Sequence, residues 1–243
     1  MHPQSDNLAL LTSESLELAT PHLPAPPARL LEVGCGAGDF ALALQQRGYH
    51  VTALDQGDEN VARARAKGVN AATVSWPHFD DQPFDAILFT RSLHHIRPVR
   101  VAVQRAHELL KNGGTLIIED FVFYETSEAT ILWFKNVVDV LDAARVLNHE
   151  EHRFASRIAQ ADGLEAWHHS HAEIASEAEM LDAVQSLFEL QTGAAIPHLY
   201  RYISQVTKPE VADSVVAAVL KFERAAHAAG QIDLIGRFWA AEK

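Results

Sequence analysis

The sequence predicts an α/β fold, a doubly wound and mostly parallel sheet with helices on both faces, and three observations carry that expectation. From Arg29 onward, short unbroken apolar runs alternate with stretches of helical length. The βα units repeat at a length that suits crossover connections. A glycine-rich turn, Gly34-Cys35-Gly36-Ala37-Gly38, separates the first strand from the first helix of the series.

Ser13 to Ala19 reads as a short helix, ended by Pro21-His22-Leu23-Pro24-Ala25-Pro26-Pro27, because proline continues neither a helix nor a ladder. Residues 1–28 are thus a lead-in, and 29–243 a single domain. Within it the pattern predicts strands at Arg29–Val33, His50–Leu54, Ala71–Val74, Ala86–Phe89 and Thr115–Glu119. Helices are expected at Phe40–Arg47, Glu59–Ala66 and Val99–Leu110, the last closed by the turn Lys111-Asn112-Gly113-Gly114. Beyond Phe121 the regularity loosens. A helical stretch at Ser127–Leu147, a helix near Glu151–Ala161 and a strand near Leu164–His168 are followed by helices near Glu177–Glu189 and Glu210–Ala228, then a closing strand near Ile232–Ala240. Segments 122–148 and 172–207 leave the sheet on its ligand side and are expected to form a helical cap inserted in the C-terminal half.

A chain of 243 residues that is 48% hydrophobic can bury a sizeable core. Its formal charge of -12, with no long run of Lys or Arg, excludes phosphate-backbone binding as a main function. No stretch approaches the roughly 20 uninterrupted apolar residues of a membrane helix, and the polar start lacks a signal peptide's basic and apolar regions. A soluble cytoplasmic protein, monomer or homodimer, without nucleic-acid or membrane partners, is expected. The single cysteine, Cys35, excludes an internal disulfide, and its place between two glycines points to packing.

A dinucleotide turn wants G-x-G-x-x-G, so that the third glycine packs helix against sheet; here Asp39 holds that position. Glu32, just upstream, would oppose a pyrophosphate and favour a cationic ligand. An acid at the end of the second strand, Asp55, can accept hydrogen bonds from both ribose hydroxyls.

With these residues in place, Leu-Glu-Val-Gly-Cys-Gly-Ala-Gly (residues 31–38) and Asp55 closing Val-Thr-Ala-Leu-Asp resemble the class I S-adenosylmethionine-dependent methyltransferase family. Phe84 to Phe89, Ser92-Leu93-His94-His95-Ile96 and Leu109 to Leu116 resemble that family's later motifs in the same order. The resemblance is strong over 29–121 and weaker toward the end of the chain. It implies a Rossmann-like seven-stranded sheet, S-adenosyl-L-methionine as cofactor with S-adenosyl-L-homocysteine as product, and a small-molecule acceptor. Glu32, Gly34, Cys35 and Gly36 would then surround the methionine moiety, with Arg91 beside them. Asp55 would hold the ribose and Gln56 would lie beside the adenosine. An acid that many members place after the third strand, for the adenine amino group, is absent; Ser75 and Trp76 take its place as candidates.

Methyl transfer from a sulfonium needs the nucleophile in line with the methyl carbon, plus a base where the acceptor is protonated. The strand ends offer His94 with His95 and Glu119 with Asp120, and His94 or His95 working with Asp120 is the expected catalytic group. His149 with His152, and His168, His169 and His171, offer metal-compatible side chains at undiagnostic spacing, so no metal is assigned. Tyr124, Trp133, His168, His169, Tyr200 and Arg201 are the candidate acceptor contacts. Two competing readings are a non-catalytic S-adenosylmethionine-binding scaffold and a nicotinamide-dependent oxidoreductase, the latter opposed by Asp39 and Glu32.

Overall fold

The computed structural model describes residues 9–148, 154–160, 167 and 174–243. Helix α1 (Ala9–Ala19) starts before the expected Ser13 and leads to β1 (Arg29–Val33). Then α2 (Asp39–Gln45) joins β1 to β2 (His50–Asp55), and α3 (Asp58–Ala66) joins β2 to β3 (Ala71–Thr73). β4 (Phe84–Thr90) is followed by α4 (Val99–Leu109) and β5 (Leu110–Phe121). The rest of the chain gives α5 (Glu128–Ala143), α6 (Phe154–Gln160), α7 (Glu177–Gln185), β6 (Glu189–Ile196), α8 (Leu199–Ser204), α9 (Ala212–Ala228) and β7 (Gly236–Glu242).

Seven strands make one sheet in the order β3-β2-β1-β4-β5-β7-β6. β1 to β5 are parallel, with Leu30 opposite both Val51 and Ala86, and Phe89 opposite Ile118. β7 runs antiparallel to β5: Gly113 and Gly114 exchange hydrogen bonds with Lys243, whereas Val122 donates to Ile235. These bonds also explain why β5 starts at Leu110. The run Lys111 to Gly114, expected as a turn, bulges between the pairs Phe84–Leu110 and Ala86–Thr115, with Gly113 at φ +72°, and is tied to a partner more than 120 residues away.

Contacts divide the chain into two compact units. The sheet unit comprises Thr12–Phe121, Ile174–Ala194 and Arg237–Lys243. On α4, Val99, Ala102, Val103, Ala106 and Leu109 form one buried stripe at helical spacing against Leu31, Phe84, Ile87 and Leu116, each wholly inaccessible (0%). The other face of α4 and the residues before it hold α7 through the ion pairs Arg97–Glu179 and Arg100–Asp182. Ser176 and Glu179 close a reciprocal capping box at the α7 start, which fixes where that helix begins. The cap expected over 172–207 is therefore divided, because Ile174–Ala194 pack on α4 and extend the sheet.

The insert unit is built from the described residues of Met1–Leu11, Val122–Glu173 and Ala195–Gly236. Its core is aromatic: Phe123 stacks on Trp167 at 4.6 Å, and Phe154 and Phe134 pack around them. The strand expected near 164–168 lies outside the described residues apart from Trp167. No helix among the described residues is long and apolar enough to cross a membrane.

Candidate active site

Because β1, β2, β4 and β5 run parallel, their carboxyl ends share one edge of the sheet, where an open α/β fold takes its ligand. The turn after β1 is tied to β2: Gly34 and Cys35 both donate their N–H groups to the Leu54 carbonyl at 2.8 Å. Gly34 has φ +80°, and a Cβ there would lie 2.4 Å from the Ser92 Cβ, so glycine alone fits. Ser92 in turn donates its hydroxyl to the Val33 carbonyl at 2.5 Å, locking the turn to the end of β4. Gly36 has φ +53°, yet a Cβ there would meet nothing within 4 Å. Its face of the turn is open to a ligand.

Asp55 accepts hydrogen bonds from the Gly36 N–H at 2.9 Å, the Gly57 N–H at 2.8 Å and the Asn60 amide at 3.1 Å. A carboxylate has about four lone-pair sites, so Asp55 braces both sides of the cleft and keeps acceptor capacity for a further donor. Asn60 was not singled out by sequence; its place within the first turn of α3 was the available signal. Gln56 and Ser75 are exposed, and the Val74 N–H bond to the Asp55 carbonyl sets Ser75 beside the end of β2. Trp76 departs from its expected cofactor role. It is buried, its indole N–H donates to the Ala102 carbonyl at 3.0 Å, and its ring packs edge-on against Phe89.

Glu32 is 1% exposed, and its Oε1 accepts the Thr90 hydroxyl at 2.8 Å. Its Oε2 has no hydrogen-bond partner among the described residues. Burial pushes its carboxyl up to about 7, against the opposing pull of the Thr90 hydroxyl and of Arg91. Arg91 sits at φ 60°, outside the usual range of its residue type. Glu119 holds it there: its carbonyl accepts the Arg91 N–H at 2.6 Å and its carboxylate pairs with the guanidinium at 2.9 Å. Arg91 also donates to the Ser15 hydroxyl at 3.3 Å. Cys35 is buried, and burial, followed by the charges of Glu32 and Asp55, pushes its thiol upward, so the neutral thiol packs rather than attacks.

The expected His94, His95 and Asp120 come together. Asp120 is wholly buried; its Oδ1 lies 2.6 Å from His94 Nδ1, and its Oδ2 accepts the His94 N–H at 3.2 Å. A carboxylate beside Nδ1 favours the tautomer with the proton on that nitrogen. His94 is 2% exposed, whereas His95 is exposed and stacks on it with ring centroids 3.9 Å apart. Desolvation of the stacked face, then the neighbouring His94, holds His95 below the ordinary histidine range.

The acceptor-side candidates fare unequally. Tyr200 and Arg201 lie in the interior of the insert unit, at 1% and 7% exposure, with the Arg201 guanidinium over the Tyr200 ring. Both therefore serve packing. The α8 start that carries them is held by the fully buried Glu223, which accepts the N–H groups of His198, Leu199 and Tyr200 at 2.8 to 3.0 Å. Trp133 lines an apolar groove of about 610 Å³ between α5 and α9, its ring 5.0 Å from Phe222. Tyr124 is exposed. His149, His152, His168, His169 and His171 lie outside the described residues.

These residues fit S-adenosylmethionine. Gly36 leaves room for close backbone approach, Glu32 carries a buried carboxylate oxygen with no hydrogen-bond partner among the described residues, and Asp55 closes the second strand. The comparisons agree. A family model described as a methyltransferase domain matches residues 6–169. A ubiquinone biosynthesis O-methyltransferase of Xylella fastidiosa (strain 9a5c) is 31% identical over 176 residues, covering 68% of this chain and 69% of that one. A solved S-adenosylmethionine-dependent methyltransferase from Mesorhizobium loti superposes with TM-score 0.59 at 16% identity, over 95% of this chain and 98% of that one. Geranyl diphosphate C-methyltransferase from Streptomyces coelicolor A3(2), solved with S-adenosyl-L-homocysteine, gives TM-score 0.58 at 16% identity over 97% of this chain and 81% of that one. By domain, by relatives and by the fold that frames this glycine turn, the chain belongs to the class I S-adenosylmethionine-dependent methyltransferases.

Proposed function

We propose that the chain transfers the methyl group to a hydroxyl oxygen of a small molecule, with His95 as the general base. One observation carries the reading: an exposed histidine, kept neutral near pH 7, rests on a buried His94–Asp120 pair at the ligand edge of the sheet. A hydroxyl is a poor nucleophile until its proton leaves, and that is the task such a base performs. The O-methyltransferase relative supports oxygen over nitrogen, and the charge of -12 disfavours a polyanionic acceptor.

When bound, the cofactor supplies an electrophilic methyl carbon on a sulfonium. Glu32, Gly34 and Gly36 would hold its methionine part with Arg91, and Asp55 its ribose. His95 would take the hydroxyl proton at a ring nitrogen, freeing the oxygen to accept the methyl group that the cofactor would supply, with a methyl ether and S-adenosyl-L-homocysteine as the products. Asp120 fixes the His94 ring, and His94 fixes the face on which His95 rests, so both are positioning residues. The test is steady-state kinetics of His95→Asn: kcat should fall by about 10²- to 10⁴-fold while S-adenosylhomocysteine affinity holds. Wild-type turnover in that variant would remove His95 from the mechanism.

A further inference from the structure

We infer that Arg91 is a positioning residue for His95: its left-handed backbone, gripped twice by Glu119, turns the chain leaving β4 so that the Leu93–His95 turn seats on Asp120. The inference rests on the role proposed for His95 and names what holds that ring in place.

Among the described residues, two that are not glycine have positive φ, Arg91 and Arg145. Arg145 follows the cap of α5, where a left-handed residue commonly ends a helix. Arg91 has no such setting. It directly follows β4, at the ligand edge of the sheet, and φ 60° costs any residue with a Cβ conformational energy that glycine is spared. A conformation of that kind persists only where its surroundings over-determine it. Here they do so from both sides. Thr90 and Ser92 are tied to β1, their hydroxyls donating to the Glu32 carboxylate at 2.8 Å and to the Val33 carbonyl at 2.5 Å. Arg91, between them, is tied to β5, where the Glu119 carbonyl accepts its N–H at 2.6 Å and the Glu119 carboxylate its guanidinium at 2.9 Å. Glu119 is 3% exposed, so withdrawing the guanidinium would leave a buried charge without that partner, which favours the gripped state.

The next hold on the chain comes three residues later. Asp120, directly after Glu119 in β5, holds His94 through its N–H and its Nδ1, and the His94 carbonyl accepts the Ala175 N–H at 2.9 Å. Adjacent acids of one strand therefore fix residues 91 and 94, with only Ser92 and the fully buried Leu93 between them. His95 follows at once, its ring 3.9 Å from that of His94, which in turn lies 4.5 Å from Phe121. A backbone that relaxed at Arg91 out of the left-handed region would re-aim every residue of this short turn. For a base that must meet a hydroxyl, a misplacement of about 1 Å can cost about 10²-fold in rate.

The test reads the place of the His95 ring without any turnover. The full chain is labelled with carbon-13 at the histidine ring Cε1, and the His95 signal is identified in the NMR spectrum by its loss in His95→Asn. Stacked on His94, that signal carries the ring current of its neighbour. Arg91→Ala keeps the cost of a left-handed backbone and removes the side-chain grip, so the signal should move toward that of a fully exposed histidine. Arg91→Gly removes the cost as well and should bring the signal part of the way back. Glu119→Gln keeps the carbonyl bond and loses the ion pair, and should move the signal in the same direction as Arg91→Ala but less far. A signal unmoved in Arg91→Ala would overturn the inference, as would equal displacement by Arg91→Ala and Arg91→Gly. Should Arg91→Ala not fold, a signal unmoved in both Arg91→Gly and Glu119→Gln would overturn it. Wild-type turnover by His95→Asn is a separate failure: it would remove the base itself, and the inference with it, whatever Arg91 does to the ring.

Discussion

Replacing Asp55 by alanine should injure the protein in two separable ways. Its carboxylate holds the Gly36 N–H, the Gly57 N–H and the Asn60 amide, so the truncation strands three donors at the rim of the cleft. At roughly 1 kcal/mol for each partly buried donor, the loss is about 3 kcal/mol. For a chain of this size, about 2 to 4 °C per kcal/mol gives a fall in Tm of roughly 6 to 12 °C. Cofactor binding should also weaken, by the worth of charge-assisted bonds to ribose hydroxyls, about 1.5 to 3 kcal/mol, or roughly 10- to 150-fold in Kd. Thermal melts of the free protein read the first effect, and calorimetry with S-adenosylhomocysteine well below the lowered Tm reads the second. An unchanged Kd would refute the ribose assignment, and an unchanged Tm would refute the brace between the turn and α3.

The two left-handed glycines should respond differently. Gly34→Ala drives a Cβ into Ser92 and should lower Tm well beyond the roughly 1 to 2 kcal/mol of backbone strain, whereas Gly36→Ala should cost only that strain and lose cofactor affinity instead; melts and calorimetry on both variants check this. Glu223→Ala leaves three buried N–H groups without their acceptor and should destabilise the insert unit by about 3 to 5 kcal/mol, read by denaturant unfolding; a loss under 1 kcal/mol would mean that the start of α8 finds other partners. In the kcat–pH profile, His95 is active when neutral, so activity is full at neutral pH and falls as pH drops through its lowered pKa. The negative charge of Asp120 favours the protonated ring, so Asp120→Asn should move that acid limb to lower pH; a limb that stays put would separate Asp120 from the titrating group.

The parts of the fold legible in the sequence were those set by local pattern. β1 falls at the expected Arg29–Val33, and α4 within one residue of expectation, because an apolar run and an amphipathic stripe each define their own boundaries. What escaped was set at a distance. β6 is an edge strand exposed along most of its length, so it lacks an apolar run; a Cβ at Gly193 would lie 3.2 Å from the Trp239 ring of β7. α8 has six residues, too few for a periodic signal, and Glu223 from a later helix defines its start. At the site, sequence placed Glu32, Asp55, His94, His95 and Asp120 at strand ends and expected one of the two histidines to work with Asp120, but did not say which one. Which of two adjacent histidines turns inward depends on Asp120, across the sheet in β5. Trp76 and Arg201 show the converse: residue types that suit a ligand were taken up by backbone carbonyls and packing.

The most direct test of the central claim is transfer itself. The full chain would be incubated with S-adenosylmethionine carrying an isotopically labelled methyl group and a panel of small phenols and alcohols, with matched amines alongside, and the products fragmented by mass spectrometry. The account predicts the label on oxygen of a hydroxyl acceptor, with S-adenosylhomocysteine formed in equal amount. Label on nitrogen alone, with every hydroxyl compound left unmodified, would contradict it.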